Sequence, residues 1–135
     1  MKRISILMMI LPFFAIAQNT LNVSVLGVAT SKGNISVAVY NKQDGFLKFD
    51  KVFKSDSILA KKGKTEIAIK DLPEGEYAIA IFHDENGNNL LDVNWLGIPK
   101  EKCGFSKGHM KTFGPPSYKE CAFMVTKDQS VQIIL

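Results

Sequence analysis

Between His83 and Glu101 the chain reads HDENGNNLLDVNWLGIPKE, which sets Asp84, Asn86, Asn88 and Asp92 at positions 1, 3, 5 and 9 of one loop. Oxygen-bearing side chains at that spacing suit a hard cation. Ca²⁺ takes about six to eight oxygens from carboxylates, amides and backbone carbonyls. The Leu90 carbonyl falls at position 7, and Glu101 follows closely enough to complete the shell. Two positions depart from a strong calcium loop: Asn89 stands where a glycine would ease the turn, and Trp95 where a bidentate carboxylate would close it. The expected Ca²⁺ affinity is therefore weak, ~10⁻⁴–10⁻³ M, as in extracellular modules. The competing account is a turn whose Asn and Asp side chains accept their own backbone N–H groups.

Other reactive residue types are sparse. His83 beside Asp84 could form a base oriented by a carboxylate, which defines the alternative reading of a metal-assisted hydrolase. Neighbouring residues on a strand point to opposite faces, however, and neither Ser106 nor Ser117 sits in a nucleophile elbow. Cys103 and Cys121 could join His83 and His109 at a soft metal, but no CxxC or HxxxH pair accompanies them. In an oxidising compartment an even pair of cysteines is expected to form a disulfide. Closing that loop would contribute about 3 kcal/mol in the chain-entropy model. Trp95, Phe105, Phe113 and Tyr118 offer the large, rigid surfaces that recur in sugar- or peptide-binding grooves, or else they pack a loop onto the body. His83, Trp95 and Tyr118 are the candidate ligand contacts.

The elements that must position these residues are strands. Period-2 alternation over Leu21–Val25 and Ile35–Tyr40 predicts a hairpin, TEIAIK and EYAIAIF flank a turn at Asp71–Gly75, and Cys121–Thr126 with Val131–Leu135 form a third pair. Phe46, Phe49 and Phe53 fit a short helical turn, with a further strand starting near Ser57. Several short strands joined by turns imply an all-β, antiparallel two-sheet sandwich of immunoglobulin-like or transthyretin-like type; a small barrel is the structural competitor. Asp92–Cys121 carries no strong strand pattern. A loop that long is uncommon in a compact domain unless it is functional or tied down, and its Gly-Pro-Pro and aromatic residues predict an ordered cap over one end of the sandwich.

The segments DLPEGEYAIAIFHDENGNNLLD, LGIPKE, GFS and FGPPSYKECAF, all between Asp71 and Phe123, resemble an exported bacterial family catalogued as domain of unknown function twenty-one forty-one. That resemblance implies a secreted or periplasmic β-sandwich and carries no established activity. Cys103, Cys121 and Asn89 depart from the family pattern, so the expected bridge is a local addition.

The ends and totals agree. Lys2 and Arg3 precede an apolar stretch from Ile6 to Ile16, and Ala15-Ile16-Ala17 gives a small-x-small cleavage pattern. Residues 1–17 are thus expected to be a signal peptide, followed by one domain over residues 18–135. Its removal lowers the formal charge of +4 by two. The lysines are dispersed and form no nucleic-acid motif, and no later run is long enough to span a membrane. The sequence reads as an exported, periplasmic or secreted, non-enzymatic binding or accessory module of the cell envelope. Its partner would be a glycan or protein, and its cofactor Ca²⁺. A purely structural envelope domain is the third reading.

Overall fold

The computed structural model describes residues 18–135; the expected signal peptide lies outside them. Among the described residues are eight strands, β1 (Gln18–Val28), β2 (Asn34–Tyr40), β3 (Lys54–Leu59), β4 (Gly63–Pro73), β5 (Gly75–Asp84), β6 (Cys103–Phe105), β7 (Phe123–Val125) and β8 (Gln129–Ile134), and one short α-helix, α1 (Tyr118–Cys121). They form a two-sheet sandwich. One sheet has the order β4-β1-β8, the other β3-β2-β5-β6, and β7 also pairs with β5. All pairings are antiparallel except β1 with β8.

Alternation built the core as expected. Leu21, Val23 and Val25 of β1, Ile35, Val37 and Val39 of β2, and Tyr77, Ile79 and Ile81 of β5 all point into one buried cluster between the sheets. Each fully buried aliphatic side chain contributes about 1.5–3 kcal/mol.

The three expected hairpins are not hairpins. β1 bonds β4 and β8 while β2 bonds β3 and β5; β4 and β5 lie in different sheets; β7 joins β5 while β8 joins β1. Each short connection is therefore a corner between layers. Alternation reports which side chains face inward, and it does so equally for a hairpin and for a chain that switches sheets. The Phe46–Phe53 stretch holds a turn closed by the Phe46 N–H on the Gln43 carbonyl at 3.2 Å, then a 3-10 turn at Phe49–Lys51. β3 begins at Lys54, three residues before Ser57.

The corner between β1 and β2 is tight against β5. Gly33 has φ +65, and a Cβ there would stand 1.9 Å from the Asp84 carbonyl oxygen. Gly63 has φ +88 with nothing within 4 Å of such a Cβ. Gly33→Ala should therefore cost on the order of 3 kcal/mol or more, through clash plus left-handed strain, and Gly63→Ala about 1 kcal/mol, through strain alone. Urea denaturation of both variants checks the ordering; equal losses would contradict this packing of the corner on β5.

Candidate functional site

β5 is largely apolar on both faces, bulky on one and small on the other. Tyr77, Ile79 and Ile81 fill the sandwich core, while Ala78 and Ala80 look outward beside Ala38 and Tyr40 of β2 and Cys103 and Phe105 of β6. The segment expected to be an ordered cap lies over this outer face. At one end it seals the sheet. Tyr118 and Cys121 of α1 are buried in a second cluster with Phe105 and Ala78, and Phe46 meets Tyr40 and Tyr118 edge-on at 5.2 and 5.7 Å. Ser106, wholly buried, fastens that seal: its hydroxyl donates to the Cys121 carbonyl at 2.7 Å and accepts the Ile79 N–H at 2.9 Å.

Beyond the seal the sheet is left open, and a groove of about 760 Å³ remains. Ala38, Ala80 and Phe82 contribute to its floor; Leu96 and Ile98 line one side, and Met110 and Phe113 another. The volume falls within the ~300–1,000 Å³ range of small-molecule sites. Five side chains with a polar group reach the lining: Tyr40, Glu101, Cys103, Lys111 and Thr112. Burial, reinforced by the Asp92 and Asp84 charges, raises the Glu101 carboxyl above the ordinary carboxylate range. Burial and the neighbouring Glu101 push the Cys103 thiol up to about 11, so it is a poor nucleophile. Lys111 pairs with Glu120 at 2.6 Å. That contact, together with bonds from Ser117, holds Glu120 down at about 2.

The walls are small self-closed turns. In the first, a Val93–Pro99 bridge encloses Asn94–Ile98, and the Asn94 side chain accepts the Leu96 and Ile98 N–H groups at 2.9 and 3.0 Å. In the second, a Lys111–Gly114 bridge leaves Thr112 and Phe113 at the tip. Ser117 and Glu120 then form a capping box that starts α1.

The acidic loop closes on itself in the same way. The Asp84 carboxylate accepts the Asn88 and Asn89 N–H groups at 3.2 and 2.8 Å, Asn86 accepts Asn88 N–H at 3.1 Å, and Asn88 accepts Leu90 N–H at 2.9 Å. The amides of Asn86 and Asn88 donate to Asp92 at 2.6 and 3.1 Å, and Glu101 accepts the Asp92 N–H at 3.1 Å. Asn89 takes φ 61, supplying the left-handed turn that a glycine would have supplied. The oxygens at positions 1, 3 and 5 thus cap backbone donors. Among the described residues no three His, Cys, Asp or Glu side chains are grouped so as to hold a metal ion.

The remaining expected residues fall as follows. His83 is buried, its Nε2 2.8 Å from the Lys32 carbonyl and its Nδ1 3.6 Å from Glu85. Because that carbonyl can only accept, Nε2 carries the proton. The ring is thus bonded to backbone and withdrawn from any substrate, which opposes the hydrolase reading. Tyr118 is inside the seal with its hydroxyl 3.4 Å from the Glu76 carbonyl. Trp95 is 90% exposed at a turn tip. None of His83, Trp95 and Tyr118 lines the groove, whereas Phe105 and Phe113 do.

The expected disulfide is corrected: Cys103 and Cys121 are both free thiols. Cys103 lies on β6 beside the groove and directs its sulfur to the Glu101 carbonyl at 3.5 Å. The Cys121 sulfur packs against Gly108, 2.9 Å from where a Gly108 Cβ would stand. The pairing argument rested on compartment and parity, and neither reports where each sulfur packs.

The molecule is thus a β-sandwich whose own long segment walls an apolar groove on one outer sheet face. Residues 23–133 match the family described as "uncharacterized protein conserved in bacteria (DUF2141)", and the chain belongs to that family. No curated protein and no solved structure matches it.

Burial also pushes the Cys121 thiol up to about 11. At pH 8 both thiols should alkylate far more slowly in the native protein than in urea, and intact mass should show the fully reduced chain. A mass two hydrogens lighter would contradict the structure.

Proposed function

We propose that the protein is a non-enzymatic binding module of the cell envelope, exported to the periplasm or the exterior, which takes an apolar small ligand into the groove. One observation carries this reading: the alanine floor and the turn walls leave an open apolar space that the chain does not fill with its own side chains. Well-packed domains close such space. Leu96, Ile98 and Phe113 stay exposed around it, at a standing hydrophobic cost that a bound hydrocarbon would relieve. The lining favours a hydrocarbon over the glycan expected from the sequence, since few polar groups reach it.

Filling the floor tests the reading. Ala80→Phe places a ring in the groove without altering the core face of β5. Binding of an apolar fluorescent probe, 1-anilinonaphthalene-8-sulfonate, should fall at least about tenfold, with a change in melting temperature of no more than a few degrees. Undiminished probe binding by a folded Ala80→Phe variant would remove the groove as the site.

A second reading concerns the acidic loop. Behind burial, and against the lowering by the Asp92 N–H, the Asp92 and Asp84 carboxylate charges help raise the Glu101 pKa, and a divalent cation would offset that repulsion with help from the Asn86 and Asn88 amide oxygens. Ca²⁺ would then bind weakly, at ~10⁻⁴–10⁻³ M, and would stiffen the loop that leads into the groove wall. Millimolar Ca²⁺ should raise the melting temperature of the wild type by a few degrees over EDTA, and Asp92→Asn should abolish the rise. Identical melting in Ca²⁺ and EDTA would end this reading.

A further inference from the structure

The two turns that wall the groove carry aromatic residues at their tips, where polar turn formers are the ordinary choice. Trp95 is 90% exposed and Phe113 100% exposed. Leu96, Ile98 and Met110 on the same turns, and Phe49 on the 3-10 turn, are exposed as well. All three chain segments line the one groove, so their apolar tips surround a single mouth. A contiguous apolar rim of this kind is uncommon on a monomer and marks an interaction surface.

Charge is distributed to match. Residues 42–54 and 92–121, which supply the turns around the mouth, carry nine lysines and five carboxylates; the rest of residues 18–135 carries six lysines and eight carboxylates. The Lys111–Glu120 pair removes one charge of each sign from that tally, and Glu101 accepts a backbone N–H. The net positive charge of the described chain therefore lies on the segments that present the apolar tips. Apolar and aromatic tips set among lysines fit an interface of acyl chains under anionic headgroups. A protein partner would fit the apolar rim but gives no reason for the lysine bias.

We propose that this rim docks on an anionic lipid surface, with Trp95, Leu96 and Phe113 entering the interfacial layer and the surrounding lysines, Lys48 and Lys100 among them, contacting headgroups. Docking is peripheral: among the described residues no helix is long and apolar enough to cross a membrane. The groove mouth would then open onto the bilayer. The docking itself goes beyond the groove reading and does not depend on what the groove takes.

Trp95 is the chain's single tryptophan, so its fluorescence reports on the rim directly. The purified protein is titrated with mixed phosphatidylcholine–phosphatidylglycerol vesicles and with pure phosphatidylcholine vesicles, following Trp95 emission and co-sedimentation. The expected result is a blue shift and co-sedimentation with the anionic vesicles, at least about tenfold stronger than with the neutral ones. Leu96→Ser/Phe113→Ser and Lys48→Glu/Lys100→Glu, both on exposed turns, should each weaken it about tenfold or more while keeping the wild-type circular dichroism melt. Absence of any shift with either vesicle overturns the proposal, and probe binding in the groove, measured without lipid, separates that failure from failure of the groove reading. Equal binding to both vesicles overturns the anionic specificity. A blue shift that appears without lipid and tracks self-association by sedimentation velocity assigns the rim to a second copy and overturns it as well.

Discussion

Everything distinctive about this molecule depends on the unequal faces of β5. The strand is buried from Tyr77 through Ile79 and again at Ile81, His83 and Asp84, and it bonds β2 along one edge and β6 and β7 along the other. Its inner face carries bulky side chains that lock the two sheets together. Its outer face carries Ala78 and Ala80, which are too small to fill the layer above them. Other residues must cover that face. Phe46, Tyr118 and Cys121 do so over one part, and over the rest the turns stand off and leave the groove. Larger residues at positions 78 and 80 would leave a surface sheet with neither seal nor cavity.

A long irregular segment can hold such walls only if its backbone donors are satisfied locally, since it has no ladder to join. Here each turn closes on itself: Asp84, Asn86 and Asn88 cap the acidic loop, Asn94 caps the next, and Ser117 with Glu120 caps α1. Local closure leaves the side chains at the tips free of any folding task. That is why Trp95 and Phe113 can stand in solvent without loosening the fold, and why their apolar character calls for a partner outside the chain. It also explains how the segment is ordered without a Cys103–Cys121 bridge.

The strands and the core were legible because alternation depends on burial alone, and Leu21–Val25, Ile35–Val39 and Tyr77–Ile81 each face one dense interior. The sheet partners were hidden, because a five-residue connection such as Ala29–Gly33 serves a corner as readily as a hairpin. The groove was half visible. Phe105 and Phe113 stood out as aromatics, but Ala38 and Ala80 read as ordinary small strand residues, and only their adjacency across β2 and β5 turns them into a floor. The Asx caps of the acidic loop and a calcium shell require the same residues at the same spacing, so the pattern alone could not separate them. His83 looked available in sequence; its bond to Lys32, fifty-one residues away, is a product of the fold.

The central claim is that the outer face of β2 and β5 is an open apolar receptor. Alanine-methyl NMR of the folded protein, titrated with a nonionic dodecyl probe below its micelle concentration, tests it most directly. Saturable shifts and probe-to-protein Overhauser contacts at Ala38 and Ala80, with none at Ala68 on the opposite sheet, are the predicted result. Unmoved Ala38 and Ala80 methyls at saturating probe, or shifts spread evenly over all alanines, would contradict it.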